Sequence, residues 1–229
     1  MDYKEFKTEF NLAYNNVSSN QAPGFDDVEI SMYLSKAQET LVDALYAEFE
    51  KSEEARRKLA NLIETKRLSK ADISISNIIH PEYTTNYALP EDVRYIINEQ
   101  VKMNSKASEC VVSEFINIQP CSHDEINTII KNPFRFNNKR AIRLDTSYNN
   151  NSYIEILTKD KNIEYYQIRY IKNPEPIFLY SSLDYDDTID GKTAPITLRD
   201  GVDLGSLPKE THRQIVEIAA KMAYANYKQ

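Results

Sequence analysis

The chain has 229 residues, 41% of them hydrophobic and 28% charged, which suits one large domain or two small ones and sets aside disorder over most of its length. A net charge of −7 goes with no basic stripe of the kind that grips nucleic acid through phosphate neutralisation. No apolar run nears the roughly 20 residues of a membrane span, the opening Met1-Asp2-Tyr3-Lys4-Glu5 is too polar for a secretory leader, and Cys110 and Cys121 lack CxxC spacing, so the expectation is a reduced, cytoplasmically made protein without a membrane anchor.

The N-terminal third reads as helices. Tyr3, Phe6, Phe10, Ala13 (or Tyr14) and Val17 form one apolar stripe, which the Asn and Ser residues from Asn15 to Asn20 and then Pro23-Gly24 end. A longer helix opens near Asp26, where Asp26 and Glu29 have capping-box spacing, and its stripe is Ile30, Leu34, Ala37, Leu41, Leu45 and Phe49. Ser52 is placed to cap a third helix carrying Ala55, Leu59, Leu62 and Ile63. The run Arg56-Arg57-Lys58 then lies on its solvated face.

From about Leu68 the period changes to that of strands. Val93, Tyr95 and Ile97 alternate with polar residues, as do Cys110, Val112, Ile116 and Ile118 around Glu114. Tyr153 to Leu157 and Ile163 to Ile171 are β-branched and aromatic, and the polar Thr158 to Asn162 between them reads as a hairpin connection. Asn149-Asn150-Asn151 reads as a loop tip, and Asn173-Pro174 and Glu175-Pro176 end the last strand. Ser122-x-x-Glu125 reads as a capping box for a short helix with Ile126, Ile129 and Ile130, stopped before Pro133. Pro208 suits the first position of a final helix bearing Ile215 (or Val216), Ala219, Met222 (or Ala223) and Tyr227. The predicted class is α+β: residues 1–68 and 207–229 form a helical bundle, and residues 69–206 a mostly antiparallel β-rich insertion with a short helix near 122–131.

Side chains that could do chemistry are sparse. His80, His123 and His212 are scattered; HExxH, GxSxG and glycine-rich phosphate loops do not occur. Cys121 and His123 are two apart, so they point to opposite sides of a strand and lie far around a helix axis. The segment Asp184 to Gly191 places Asp186, Thr188, Asp190 and Gly191 in the register of a Ca²⁺ loop, but Thr197 stands where the bidentate Glu belongs. It reads as a solvated loop. The expectation is a protein with no catalytic residue, metal or cofactor. Phe134-Arg135-Phe136 offers two readings, a turn burying both rings in the sheet or a loop inserting into a neighbouring subunit. The 16 tyrosines suit half-wet protein contacts, and Tyr224 and Tyr227 on the last helix join Phe134, Arg135 and Phe136 as candidate interaction residues.

Several stretches are similar to structural proteins of crAss-like phages. They are Phe25-Asp26-Asp27-Val28-Glu29-Ile30 through Glu39-Thr40-Leu41-Val42, Leu89-Pro90-Glu91-Asp92-Val93, Asn132-Pro133-Phe134-Arg135, Tyr170 to Ile177, and Leu207-Pro208 followed by His212 to Ala219. The chain thus resembles ring proteins of the head–tail connector, and more distantly tail tubular protein A. The acidic segment at Asp184–Asp190 and the Asn-rich tip are where the chain departs from that resemblance. The resemblance implies a self-assembling ring, twelvefold and hollow, in the virion neck beneath the portal protein. Other neck and tail proteins would adjoin it, and genomic DNA would pass through without sequence-specific binding. Two other classes stand beside it: a tail accessory or receptor-binding protein, and a metal-dependent hydrolase built on the Asp184–Asp190 carboxylates.

Overall fold

The computed structural model describes residues 1–17, 24–71, 80–107, 110–148, 151–159, 163–182, 188–198 and 202–227, with backbone only at 104–107 and 110–113. In chain order the elements are α1 (Tyr3–Val17), α2 (Asp27–Ala47), α3 (Glu53–Leu59), β1 (Ile63–Leu68), β2 (Thr84–Ala88), β3 (Val93–Ala107), β4 (Cys110–Pro120), α4 (Ile126–Lys131), β5 (Ala141–Tyr148), β6 (Asn151–Leu157), β7 (Ile163–Lys172), β8 (Thr188–Ile189), β9 (Lys192–Thr193) and α5 (His212–Tyr227). The class is mixed α+β. Two compact units divide the chain, Met1–Leu62 with Asn173–Gln229, and Ile63–Lys172.

In the first unit α5 packs against α1 and α2. The Phe6 ring of α1 meets the His212 ring of α5 at 5.2 Å. Ala219, Ala220 and Ala223 on the buried face of α5 let the backbones approach closely. The capping box of α2 is present in full: Asp26 Oδ1 accepts from the Glu29 N–H at 2.7 Å, and Glu29 Oε2 accepts from the Asp26 N–H at 3.1 Å. Ser52 Oγ caps α3 by accepting from Ala55 N–H at 3.2 Å. That helix is shorter than its apolar spacing suggests. Leu62 lies in a 3₁₀ turn and Ile63 opens β1, where pairing with β7 outweighs helix propensity. Pro208 likewise stands one step early: it precedes a 3₁₀ turn, Lys209–Thr211, and the α-helix starts at His212. The predicted stop at Ser18–Asn20 and Pro23 lies outside the described residues.

Polar residues on the buried face of α2 hold an extended segment against it. The Ile177 N–H donates to Ser35 Oγ and the Leu179 N–H to Ser31 Oγ, both at 2.9 Å. Gln38 Nε2 donates to the Glu175 carbonyl at 2.8 Å, while Gln38 Oε1 accepts from the Ser206 N–H at 3.1 Å. Ser206 Oγ in turn accepts from the Glu175 N–H at 2.8 Å. Residues 175, 177 and 179 have their donors on one side because the segment is extended, and prolines at 174 and 176 have none to satisfy. Residues 173–206, drawn with the β-rich part from sequence, therefore group with the helices.

The second unit is a seven-stranded sheet in the order β1-β7-β3-β4-β5-β6-β2. It is antiparallel except where Ile118–Pro120 of β4 runs parallel to Ala141–Arg143 of β5. Tyr87 of β2, at one end of the order, meets Tyr166 of β7 near the other end with ring centroids 5.0 Å apart, so the sheet curls upon itself. Its inner core includes Val101, Ile116, Ile154, Ile156, Ile168 and Tyr170. On the outer face Ile126 and Phe136 cover Ile142, Leu144 and Leu157, so β6 is buried on both sides.

Several strand expectations are corrected. The strands around Thr158–Asn162 do not form a hairpin: β6 pairs with β5 and β2, whereas β7 pairs with β1 and β3. Residues 160–162 of that connection, and 149–150 of the Asn-rich tip, lie outside the described residues. The alternation at Val93, Tyr95 and Ile97 is broken by register shifts at Val93/Tyr95 and Ile96/Asn98, which turn successive side chains off a two-residue period. The Ser122–Glu125 capping box is absent; Ser122 contributes its carbonyl, which accepts from the Glu125 N–H at 3.2 Å. Beyond the last β7 partner, Met103↔Ile163, β3 and β4 continue as a two-stranded ribbon to Ala107↔Cys110.

Candidate interaction surface

Phe134, Arg135 and Phe136 sit in the turn that follows α4, and the structure parts the two rings. Phe136 is buried on the outer face of the sheet, its ring edge-on to Tyr83 at 5.1 Å. Phe134 is 84% exposed. Of the two rings, only Phe136 is buried in the sheet.

The turn is held by two asparagines. Asn132 Oδ1 accepts from the Phe134 N–H at 3.0 Å, and the Asn132 carbonyl accepts from the N–H groups of Arg135 and Phe136 at 3.0 and 2.9 Å. Asn137 Nδ2 donates to the Phe134 carbonyl at 3.3 Å, and Asn137 Oδ1 accepts from the Lys139 N–H at 3.0 Å. Phe134 is therefore displayed on a backbone fixed from both sides, pinned beneath by Phe136. Lys131, Arg135, Lys139 and Arg140 flank it along the chain, and no acidic residue occurs between Glu125 and Asp145.

Tyr224 and Tyr227 belong to the other unit, at the end of α5. There burial raises the Tyr14 phenol, with nearby Tyr227, Tyr33 and Tyr224 adding to the effect. Phe25 stands edge-on to both Tyr14 and Tyr33, at 4.9 and 5.5 Å. Tyr227 is 46% exposed at the rim of this aromatic cluster. Beside it an open groove of about 560 Å³ is lined by Glu29, Met32, Tyr33, Lys36, Glu39 and Asp190, among others. Met32, one of its lining residues, is 56% exposed. This groove was not legible as a site, because Met32 looks like one more helical apolar residue until α2 is seen to bury its opposite face.

Several groups that could do acid–base chemistry have structural partners. Glu99, 8% exposed, accepts from Arg143 at 2.9 Å and from the Tyr166 hydroxyl at 2.8 Å. Burial raises its carboxyl, Arg143 and Tyr166 pull it back down, and burial with Glu99 alongside pushes the Tyr166 phenol far up. His80 Nε2 meets Asn127 Oδ1 at 3.0 Å, and His123 Nε2 the Asp145 carbonyl at 2.9 Å. His212 Nε2 meets the Leu207 carbonyl at 3.1 Å, and burial lowers its imidazole. Cys121 Sγ donates to the Ser122 carbonyl rather than to His123. Among the described residues no cluster of His, Cys, Asp or Glu could hold a metal ion, and no helix is long and apolar enough to cross a membrane. Asp184–Asp187 lie outside the described residues. The remainder of that segment is a hairpin, β8–β9, turned at Asp190 and Gly191 with φ of 50° and 73°.

The whole chain, residues 1–229, matches the family described as Phage tail ring protein 3/4. It is 30% identical to Ring protein 4/5 of Bacteroides phage crAss001 over 244 aligned residues, spanning 99% of this chain and 94% of that one. It is 27% identical to Ring protein 3 of the same phage over 245 aligned residues, spanning 97% and 95% respectively.

Proposed function

The chain belongs to the Phage tail ring protein 3/4 family, and from that premise we propose that it forms a ring of the head–tail connector of a tailed phage. The single observation that carries the reading is the match over residues 1–229, which takes in both structural units. Both named relatives are ring proteins of a phage, so the role is structural and the chain turns over no substrate. The helices of the first unit serve as the ring-forming block. The curled sheet and its two-stranded ribbon reach toward neighbouring proteins of the neck.

In this reading the ring is twelvefold, joins the portal to the tail, and gives the genome a passage at the head–tail junction. A chain with net charge −7 suits that task. Carboxylates lining a lumen repel phosphate, so DNA slides past without sticking. A ring contact joins two different flanks of the subunit and closes by rotation.

Electron microscopy of the assembled particle tests this directly. A ring of this chain between portal and tail is expected, with twelve copies per virion. A protein absent from virions, or present in a few copies at a tail fibre, overturns the reading.

A further inference from the structure

We propose that the Phe134 turn of one copy seats in the Met32 groove of the next copy, so that this pair of surfaces is the contact that closes the ring. The inference rests on the ring reading above and names the residues that would make it. A single exposed aromatic residue is ordinary on a protein surface. Phe134 differs in two respects. Its backbone is locked on both sides by Asn132 and Asn137, so the ring is held outward before any partner arrives and little ordering remains to oppose binding. The segment that carries it, residues 126–144, holds charge of one sign, Lys131, Arg135, Lys139 and Arg140 among it, on a chain whose net charge is −7.

The complement is present on the same chain. The groove on α2 offers Met32, a flexible and polarizable side chain well suited to receive an aromatic ring. Glu29, Glu39 and Asp190 around it outnumber the one cation, Lys36. Glu29 is held in place by the Asp26 N–H, so part of this acidic rim is fixed in advance. With about 560 Å³, the groove takes a phenyl ring with room for the Arg135 side chain beside it. Turn and groove are unlike surfaces, so the contact is head-to-tail and propagates from copy to copy until it closes. Apolar burial sets the affinity, and the opposed charges set register and exclude a turn-to-turn contact between two basic surfaces.

The test is made in assembled particles. Phe134→p-benzoylphenylalanine is introduced into the full chain, particles are purified and irradiated, and linked peptides are sequenced. The expected product is a dimer of this chain joined at the peptide containing Met32. A link to a different virion protein, a link elsewhere on this chain, or no dimer overturns the inference. A charge exchange gives a second readout. Arg135→Glu is expected to lower incorporation into particles at least tenfold, and adding Glu39→Lys to restore it. Arg135→Glu incorporated as well as the parent, or unrestored by Glu39→Lys, also refutes the pairing. Failure of the ring reading looks different: the parent chain is then missing from the neck altogether.

Discussion

Replacing Ser31 and Ser35 by alanine removes the two hydroxyls that stand in for a neighbouring strand. In the native fold they accept from the buried N–H groups of Leu179 and Ile177, each at 2.9 Å, and an alanine of nearly the same size leaves those donors with no acceptor. Leaving a buried donor unpaired costs about 1–3 kcal/mol, so each single variant should lose about that much and the double variant roughly 2–6 kcal/mol. The two sites are one helical turn apart, so the double loss can depart from the sum of the singles by about 0.5 kcal/mol or more. Urea unfolding gives the global figure, and hydrogen exchange gives the local one. The amides of Ile177 and Leu179 should exchange roughly 5- to 150-fold faster in the variants, at about 1.4 kcal/mol per decade. Unchanged protection at those two amides, or a loss below about 0.5 kcal/mol in the double variant, would refute the role assigned to the serines.

Arg143→Met leaves the Glu99 carboxylate buried without its cation and should cost about 3–5 kcal/mol at neutral pH. Burial already holds that carboxyl above its ordinary value, and the variant raises it further. Below the ordinary value both folded and unfolded chains are protonated and the penalty vanishes. As pH rises from there through the raised value, the folded chain keeps a proton that the unfolded chain has lost, and stability falls. The deficit should therefore grow between about pH 4 and pH 7 in unfolding titrations; an equal deficit at both contradicts the assignment. Gly205→Ala places a Cβ 2.5 Å from Nε2 of the buried His212 and should cost about 1–3 kcal/mol, whereas Gly24→Ala meets nothing and should change thermal stability by less than about 0.5 kcal/mol. Phe136→Ala should cost about 3–5 kcal/mol through the cavity it opens. Phe134→Ala, two residues away, should stay within about 0.5 kcal/mol by the same urea assay.

The helices were readable because their hydrogen bonds are local. The box at Asp26 and Glu29, the cap at Ser52, and the stripes from Phe6 to Tyr14 and from Ile30 to Leu45 each lie within a few residues of the groups they satisfy. The buried run Ser31, Ser35 and Gln38 carries one further signal. Polar residues at helical spacing alongside an apolar stripe must meet partners from elsewhere in the chain. The Asp190-Gly191 turn was a second, since adjacent residues with positive φ are what a two-residue hairpin needs.

By itself the sequence determined where α2 and α3 begin, that the centre is made of strands, and that the turn at Phe134 is unusual in its charge and rings. Only the tertiary structure decided which strands are neighbours, that β6 and β7 part to opposite sides of β4, and that residues 173–206 lie with the helices. It also decided that Phe136 faces in and Phe134 faces out. A strand satisfies its hydrogen bonds with residues far along the chain, and a side chain's exposure depends on what arrives to cover it; neither is written in the spacing of neighbours.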